Sequence, residues 1–470
     1  MSDLRVDPSN ASLRRFDALL LAVLLIARVR IDTLADLVLP TRHQDVARHP
    51  ILGHILSPKG MELLADWLTD PLALVLISLA FTGLVIYLIV DAVADRLRPG
   101  TVYRIKLALI WAIILIIVFA PTFKLILLRQ QSGPASYTHD GGVIQTEAVI
   151  QFFLEGKNPY VEDYLNTPMA EWGIDFRTAL YHFPYLPWTF IFSTPFYLIS
   201  QAVLGWYDQR FVYLLLFALT LAMAPRLTRR PEHRLMLVML LGLNPIMASD
   251  VIFGQNDSFI LFWIVLSLWL WQRGRQASST RRWWWAGSAV AYGLACASKP
   301  TAWFMAPFYA LLLTDRASLS WRDLQKMLIP LTRRAIPVIV VFLLLVLPYV
   351  IWDLDALIDD VWRWSSGTAE IPYQIRGWGL ANFVLALGLV EDRLSYWPFW
   401  IPELLIALPL LLVTISRQMR HNGVNAACWG YGLLLFGFLF TSRFLNENYL
   451  GYILAFLALG ALAAPIEEPS

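Results

Sequence analysis

Long apolar runs recur along almost the whole chain, and they constrain the fold more than any other feature. A helix that crosses the hydrocarbon core of a membrane needs about 20 predominantly apolar residues. Hydrophobic residues occupy 58% of the 470 positions, only 15% are charged, and the mean hydropathy is +0.56. These values predict an all-α, polytopic transmembrane helical bundle.

Counting runs of sufficient length predicts about 12 to 14 spans. The first, over 16–39, is weak because Arg28, Arg30 and Asp32 interrupt it. The others are expected at 72–90, 105–128, 188–204, 211–224, 235–249, 259–271, 284–297, 301–313, 335–351, 398–415, 424–440 and 449–463, with a further short candidate at 378–390.

Basic residues cluster in five connections, around 96–104, 226–234, 273–282, 316–334 and 417–420. The positive-inside rule assigns these connections to the cytoplasm. An external loop, 130–187, and an external stretch, 352–376, then lie on the opposite side. This assignment requires 188–204 to be a short or re-entrant element, and the alternative is a basic loop outside.

Charge and cysteine content exclude several classes of function. The net charge of +2 does not predict a nucleic-acid partner. Cys296 and Cys428 are the two cysteines, and both lie in apolar runs. Neither a disulfide framework nor a thiolate metal cluster is therefore expected.

Asp140 stands where the chain leaves the apolar run 105–128, and Gly141 and Gly142 follow it. The glycines permit a sharp turn. Apolar residues over 144–153 then share one helical face, with Gln145 away from it, which predicts an amphipathic helix in the interface plane. Two interpretations of Asp140 stay open: a helix cap, or a catalytic carboxylate.

Five motifs occur in order: GKNPY at 156–160, YHFPYLP at 181–187, NP followed by GQND over 244–257, SKP at 298–300 and NENY at 446–449. Together they resemble the GT-C glycosyltransferases, in particular bacterial polyprenyl-phosphate-mannose-dependent α-mannosyltransferases. The resemblance covers 105–470 and predicts a catalytic core there. Residues 1–104 are then a cytoplasmic segment and two added spans.

The resemblance implies that Asp140 is the catalytic base. It also implies a polyprenyl-phosphate sugar donor, mannose as the sugar, reaction on the outer face of the cell membrane, and no metal or other cofactor. The acceptor would be a glycolipid, a glycan or a protein. Asn446 is a departure, because many relatives have His at the head of a His-Glu-x-Tyr signature.

The chemistry of sugar transfer needs a base and fixed cations. A carboxylate takes the proton of the attacking hydroxyl, and cations stabilise the leaving lipid phosphate. Lys299, Arg376 and Arg443 are the cations predicted on the external side. Each has a structural alternative: Lys299 pairs with a local carboxylate, Arg376 is an ordinary loop charge, and Arg443 anchors a span.

Several polar residues near these motifs are predicted to bind substrate, although surface or helix-capping roles are the alternative. They are His139, His182, Tyr160, Asn256, Asp257 and Glu447. Tryptophans of the external stretch and just beyond it suit either stacking on sugar rings or contact with the membrane surface. They are Trp352, Trp362, Trp364 and Trp378.

Two other classes of protein remain possible from the residues. A lipid-linked-sugar flippase or transporter, or a non-catalytic assembly subunit, could share the architecture without a base. The predicted partners are a polyprenyl-phosphate sugar, a glycolipid or glycan acceptor and membrane lipid, with no nucleic acid.

Overall fold

The computed structural model describes residues 9–36, 42–65, 69–173, 177–277 and 280–464. Over these residues the chain is helical apart from turns, loops and two strands of two residues each. The predicted all-α class is therefore confirmed. The first predicted span, 16–39, begins inside a helix, and its residues 37–39 lie outside the described ranges.

The α-helices are numbered in chain order. The first eleven are α1 Ser9–Asp36, α2 Arg42–Arg48, α3 Pro58–Leu63, α4 Pro71–Ala92, α5 Pro99–Ile114, α6 Ala120–Ser132, α7 Gly141–Leu154, α8 Trp188–Leu204, α9 Arg210–Met223, α10 Pro231–Gly242 and α11 Pro245–Phe253. The others are α12 Asp257–Gln276, α13 Arg281–Cys296, α14 Ala306–Leu313, α15 Trp321–Trp352, α16 Leu354–Ile358, α17 Trp364–Ser366, α18 Ala381–Ala386, α19 Trp400–Arg420, α20 Val424–Thr441 and α21 Glu447–Leu462. The strands are β1 Arg376–Gly377 and β2 Phe444–Leu445.

Six helical segments of the described residues are long and apolar enough to cross a membrane. They are α4, α5 with α6, α9 with the turn after it, α15, α19 and α20. A seventh arises if the bent pair of α10 and α11 is one span. Other predicted spans coincide with shorter apolar helices such as α8 and α21. The larger number of crossings stays a prediction.

Prolines interrupt two of the predicted spans, as expected of residues that lack a backbone N–H. A π-helical turn, Leu115–Phe119, joins α5 to α6 just before Pro121. The predicted span 235–249 is bent by 49° where α11 begins at Pro245. There the side-chain oxygen of Asn244 accepts the N–H of Ile246 at 3.1 Å, which satisfies the start of α11.

Contacts divide the chain into two compact units. The first comprises residues 1–138 and 228–253, and in it α1 packs against α4, α10 and α11 while α4 packs against α5. The second comprises 139–227 and 254–470. The predicted boundary after residue 104 separates two added spans from a catalytic core at 105–470. The division into compact units does not test which segment is catalytic, so this boundary stays a prediction.

In the second unit, α12 packs against α9, α13 and α21, and α20 packs against α19 and α21. Helix starts supply many of the polar residues of this unit, because Asp140, Asn256 and Asn446 are the N-cap residues of α7, α12 and α21. Lys299 directly precedes the short 3₁₀ helix Pro300–Met305. Strands β1 and β2 pair in parallel and bring residues around 376 beside residues around 444.

Candidate active site

A cavity of about 990 Å³ lies within the second unit. Five of the ten predicted site residues line it, namely Asp140, Asn256, Lys299, Arg376 and Glu447. The helix starts described above therefore meet at one hollow. Two carboxylates, Asp140 and Glu447, and two cations, Lys299 and Arg376, are among these five, so the hollow contains both kinds of group that the predicted transfer chemistry requires.

Asp140 is both a helix cap and a cavity residue. Its Oδ1 accepts the N–H of Gly142 at 2.8 Å, which caps α7. Only one carboxylate oxygen serves the cap, so Oδ2 is left for a substrate proton. Burial raises the pKa of Asp140, while the Gly142 N–H and the charge of Lys299 act in the lowering direction without cancelling the effect. A raised pKa strengthens the carboxylate as a base.

The two glycines after Asp140 are explained by close packing rather than by a sharp turn. Neither Gly141 nor Gly142 has a positive φ. A Cβ at 141 would lie 2.7 Å from the Trp172 ring. At 142, a Cβ would lie 2.9 Å from both the Asp140 carboxylate and the Tyr185 hydroxyl. The expected turn is thus wrong, and the glycines instead let Trp172 and Tyr185 approach the base.

Helix α7 is present as predicted, and Gln151 is exposed on it, but one residue assigned to the polar face is not. Gln145, expected to point away from the apolar face, is buried and lines the cavity. Its Nε2 donates to the carbonyls of Ala179 and His182, both at 2.8 Å. Since these partners lie 34 and 37 residues further along the chain, periodicity within the helix does not reveal them.

Lys299 adopts the local pairing that was its structural alternative, yet it also lines the cavity. Its Nζ donates to Asp257 at 2.9 Å and to Asn256 at 3.1 Å, and it lies 4.8 Å from the Tyr449 ring centre. The ammonium has three N–H groups, so one remains for a ligand. Burial lowers the pKa of Lys299, but the charge of Asp257 opposes this and the net pKa lies above its usual value.

Arg376 and Arg443 were both predicted to bind phosphate, and the structure separates them. Arg376 is exposed and lines the cavity beside Tyr373. Arg443 is 1% exposed, is not among the lining residues, and donates to the carbonyls of Tyr373, Arg393, Leu394 and Ser395. The phosphate role of Arg443 stays a prediction, and this position favours its structural alternative, because the guanidinium already holds the loop 393–395.

Four of the six predicted substrate-binding residues do not line the cavity but support residues that do. Tyr160 is buried, and its hydroxyl donates to the carbonyl of Tyr185 at 2.9 Å. The Nδ1 of His139 lies 2.9 Å from the carbonyl oxygen of Asp140. Asp257 holds Lys299 as described above. Direct substrate contact by these residues is not supported by their positions.

His182 is the fourth of these residues. Its Nδ1 lies 2.9 Å from Asp360 Oδ1 and its Nε2 lies 3.1 Å from the carbonyl oxygen of Ile371. His182, Asp359 and Asp360 form a group whose spacing could hold a metal ion. Both ring nitrogens are already engaged by protein atoms, and neither residue of the His182–Asp360 pair lines the cavity. Burial raises the pKa of Asp360 to about 6. Independence from metal stays a prediction.

Sequence reasoning missed several residues of the cavity wall. Tyr185 lies close to Asp140, and its ring centre is 5.7 Å from Lys299 Nζ. Tyr185 belongs to the YHFPYLP motif, so the sequence carries a signal for it. Tyr373 and Gln374, which also line the cavity, belong to none of the five motifs. Asn446, regarded only as a replacement for histidine, lines the cavity and donates to the Tyr373 hydroxyl at 3.1 Å.

The cavity also has an aromatic and apolar wall. Three of the four tryptophans considered for sugar stacking, Trp362, Trp364 and Trp378, line it. Trp352 does not, and instead stacks on Tyr349. Further apolar side chains complete this wall: Trp303, Phe304, Leu385, Phe438 and Leu439.

Residues 151–315 match the model of the MptA_B family, described as alpha-(1->6)-mannopyranosyltransferase, N-terminal domain. The match supports a GT-C mannosyltransferase. It extends from the end of α7 to the end of α14 and includes Asn256, Asp257 and Lys299, while Asp140, Arg376 and Glu447 lie outside it. Comparison with curated proteins and with solved structures gives no significant match. The family match and the apolar helices together indicate a membrane-bound glycosyltransferase.

Proposed function

We propose that the protein transfers mannose from a polyprenyl-phosphate donor to an acceptor hydroxyl on the outer face of the membrane, with inversion at C1. The observation that carries the proposal is that Asp140, Lys299 and Arg376 line one cavity. The family description adds the α-(1→6) linkage of the product. A β-linked donor gives such an α-linked product when the attack is opposite the leaving group.

Asp140 acts as the general base. Its free oxygen accepts the proton of the attacking hydroxyl as the bond from C1 to the phosphate oxygen breaks. The Tyr185 hydroxyl lies beside it, and burial raises the pKa of Tyr185 well above its usual value, so this group stays protonated. Tyr185 is therefore a hydrogen-bond donor that can orient the carboxylate or the acceptor.

Lys299 and Arg376 bind the phosphate of the donor and stabilise its charge as it leaves. The starts of α12 and α21 assist them, because neither Asn256 nor Asn446 makes a side-chain cap there. The backbone N–H groups at an uncapped helix start attract anions. Asp257 keeps Lys299 in place and reduces the cost of burying its charge before the donor arrives.

The apolar wall favours a lipid-linked donor over a nucleotide-linked one. Trp303, Phe304 and Phe438 present apolar surface in the same cavity as the cations. A polyprenyl chain gains free energy from this surface, whereas a polar nucleotide does not.

The outer-face assignment is supported by the origin of the cavity residues. They come from the loops around 140, 185, 255, 299, 376 and 446. Positive-inside reasoning places these loops on the side opposite the five basic connections. The donor head group is then bound where the aqueous acceptor can reach it.

The test is to incubate purified protein in lipid with radiolabelled polyprenyl-phosphate sugars and, in parallel, with nucleotide-linked mannose. We expect the protein to consume polyprenyl-phosphate mannose and to form an α-linked product. Addition of a chelator should not stop product formation. Consumption of nucleotide-linked mannose alone would overturn the donor assignment. Movement of the intact lipid-linked sugar across the bilayer without transfer would favour the flippase alternative.

A further inference from the structure

Three residues that line the cavity have a buried side-chain amide oxygen with no hydrogen-bond partner among the described residues. They are Gln255, Gln374 and Asn446. A buried polar atom without a partner is costly, and native proteins pair nearly all such atoms. Where such an acceptor belongs to a residue of a binding cavity, a ligand that carries hydrogen-bond donors can satisfy it.

Asn446 is the clearest of the three. It occupies the N-cap position of α21, where an asparagine normally accepts a backbone N–H, but its side chain makes no such bond. Its nitrogen instead donates to the Tyr373 hydroxyl at 3.1 Å. This bond fixes the orientation of the amide and leaves its oxygen without a protein partner.

Gln374 lies on the segment that pairs with the one carrying Asn446. Its side chain is 4% exposed, and it stands between Tyr373 and Arg376 in the chain. The parallel pairing of β1 with β2 places Arg376 opposite Phe444, so both amides are close in sequence to paired residues. They therefore flank the exposed cation that we assign to the donor phosphate.

We propose that the amide oxygens of Gln374 and Asn446 accept hydrogen bonds from hydroxyl groups of the donor sugar. The inference rests on the proposed function, because the sugar of that donor is bonded to the phosphate held at Arg376. An amide oxygen accepts a hydrogen bond from a hydroxyl group. Unlike a carboxylate, it adds no negative charge beside the phosphate. Trp362 lines the same cavity, is 59% exposed and offers an aromatic face to the ring.

The experiment compares the binding of polyprenyl-phosphate mannose with that of sugar-free polyprenyl phosphate. Gln374→Met removes the oxygen and keeps the side-chain length. We expect about 10-fold weaker binding of the mannose-bearing lipid and unchanged binding of the sugar-free lipid. Gln272→Met is the matched control, because Gln272 also has an unpartnered oxygen but does not line the cavity. It should bind both lipids as the wild type does.

Deoxy donors test the same contact without relying on a variant that folds. Wild-type protein should bind at least one deoxymannosyl donor about 10-fold more weakly than the parent donor. Against that donor, Gln374→Met or Asn446→Leu should show no further loss, because the hydrogen bond is already absent.

The inference is overturned if Gln374→Met weakens both lipids equally or neither, or if wild-type protein binds every deoxy donor as well as the parent. The proposed function is separable from it. If the wild type transfers mannose but binds sugar-free and mannose-bearing lipids equally, only the inference fails. If the wild type neither binds nor consumes the mannose-bearing lipid, the proposed function fails, and the inference with it.

Discussion

Both compact units bury charged side chains, but they do so in different ways. In the first unit, Lys124 contacts Asp70 at 2.6 Å and Lys106 contacts Asp17 at 3.0 Å, with almost no exposed surface. The cavity beside Lys124 measures only about 40 Å³. In the second unit, Asp140 and Lys299 line a cavity of about 990 Å³, together with the exposed Arg376.

The difference shows that burial of charge alone does not identify a functional site. A buried ion pair with little adjoining space holds helices together, and its desolvation is offset by the partner. A charge that lines a large cavity, beside polar atoms that have no partner, is arranged for a ligand. Arg443 and Arg376 repeat this contrast within the second unit, since the first is enclosed by carbonyls and the second is exposed.

The largest expected effect is the loss of stability when a buried ion pair of the first unit is broken. Lys124→Met leaves the Asp70 carboxylate buried without its cation, so the free energy of unfolding should fall by about 3–5 kcal/mol. Denaturant unfolding in detergent measures this. Donor affinity per folded molecule should not change, because neither residue lines the large cavity.

The double variant Lys124→Met with Asp70→Asn is the control for that prediction. It removes both charges and keeps an N-cap residue for α4, so most of the lost stability should return. If the single variant proves as stable as the wild type, the pair is not the buried structural pair described above.

A smaller effect distinguishes the two arginines of the second unit. Arg376→Met should weaken donor binding about 10-fold and leave the unfolding midpoint nearly unchanged, since the side chain is exposed in the cavity. Arg443→Met should lower stability by about 1.5–3 kcal/mol, because four backbone carbonyls lose a charged donor.

Titration calorimetry with the donor lipid and thermal unfolding of the same samples measure the two effects. The assignment is wrong if Arg443→Met weakens donor binding in folded protein while Arg376→Met does not. In that case the enclosed arginine would have to leave its carbonyls when the donor binds.

The smallest expected effect is a shift in the pH dependence of transfer. Asp140 accepts a proton only when ionised, so the rate should rise with pH through its pKa, which burial raises. The charge of Lys299 lowers this pKa and the charge of Asp257 raises it. Lys299→Met should therefore move the acidic limb to higher pH, and Asp257→Asn should move it to lower pH.

Rate profiles measured at saturating donor separate these shifts from changes in binding. Opposite shifts for the two variants are the expected result. Identical profiles for both variants and the wild type would mean that the group that titrates is not close to this pair.

Local patterns were sufficient to predict the fold and part of the site. Apolar runs predict helices, and the chemistry of the NENY, SKP and GQND motifs brings Glu447, Lys299 and Asn256 into consideration. Asp140 is recognised from its place at the end of a long apolar run. Each of these signals lies within a few consecutive residues, and all four residues line the cavity.

Contacts between distant segments were not predictable in the same way. Arg443 donates to carbonyls at 373 and 393–395. Strands β1 and β2, which pair with each other, are only two residues long. No periodic pattern in the sequence predicts the arginine contacts or the strand pairing. Gln145 is likewise held by carbonyls at 179 and 182. Without these contacts, Arg443 is indistinguishable from Arg376, and Gln374 has no apparent role.

The central claim is that Asp140 is the base that deprotonates the acceptor. Asp140→Asn keeps the cap to Gly142 and removes basicity, so single-turnover transfer from polyprenyl-phosphate mannose should fall by about 100-fold or more. Donor affinity, measured on the same preparation, should stay within about threefold of the wild type, since the cations are unchanged. Transfer at a near-normal rate by correctly folded Asp140→Asn protein would contradict the account.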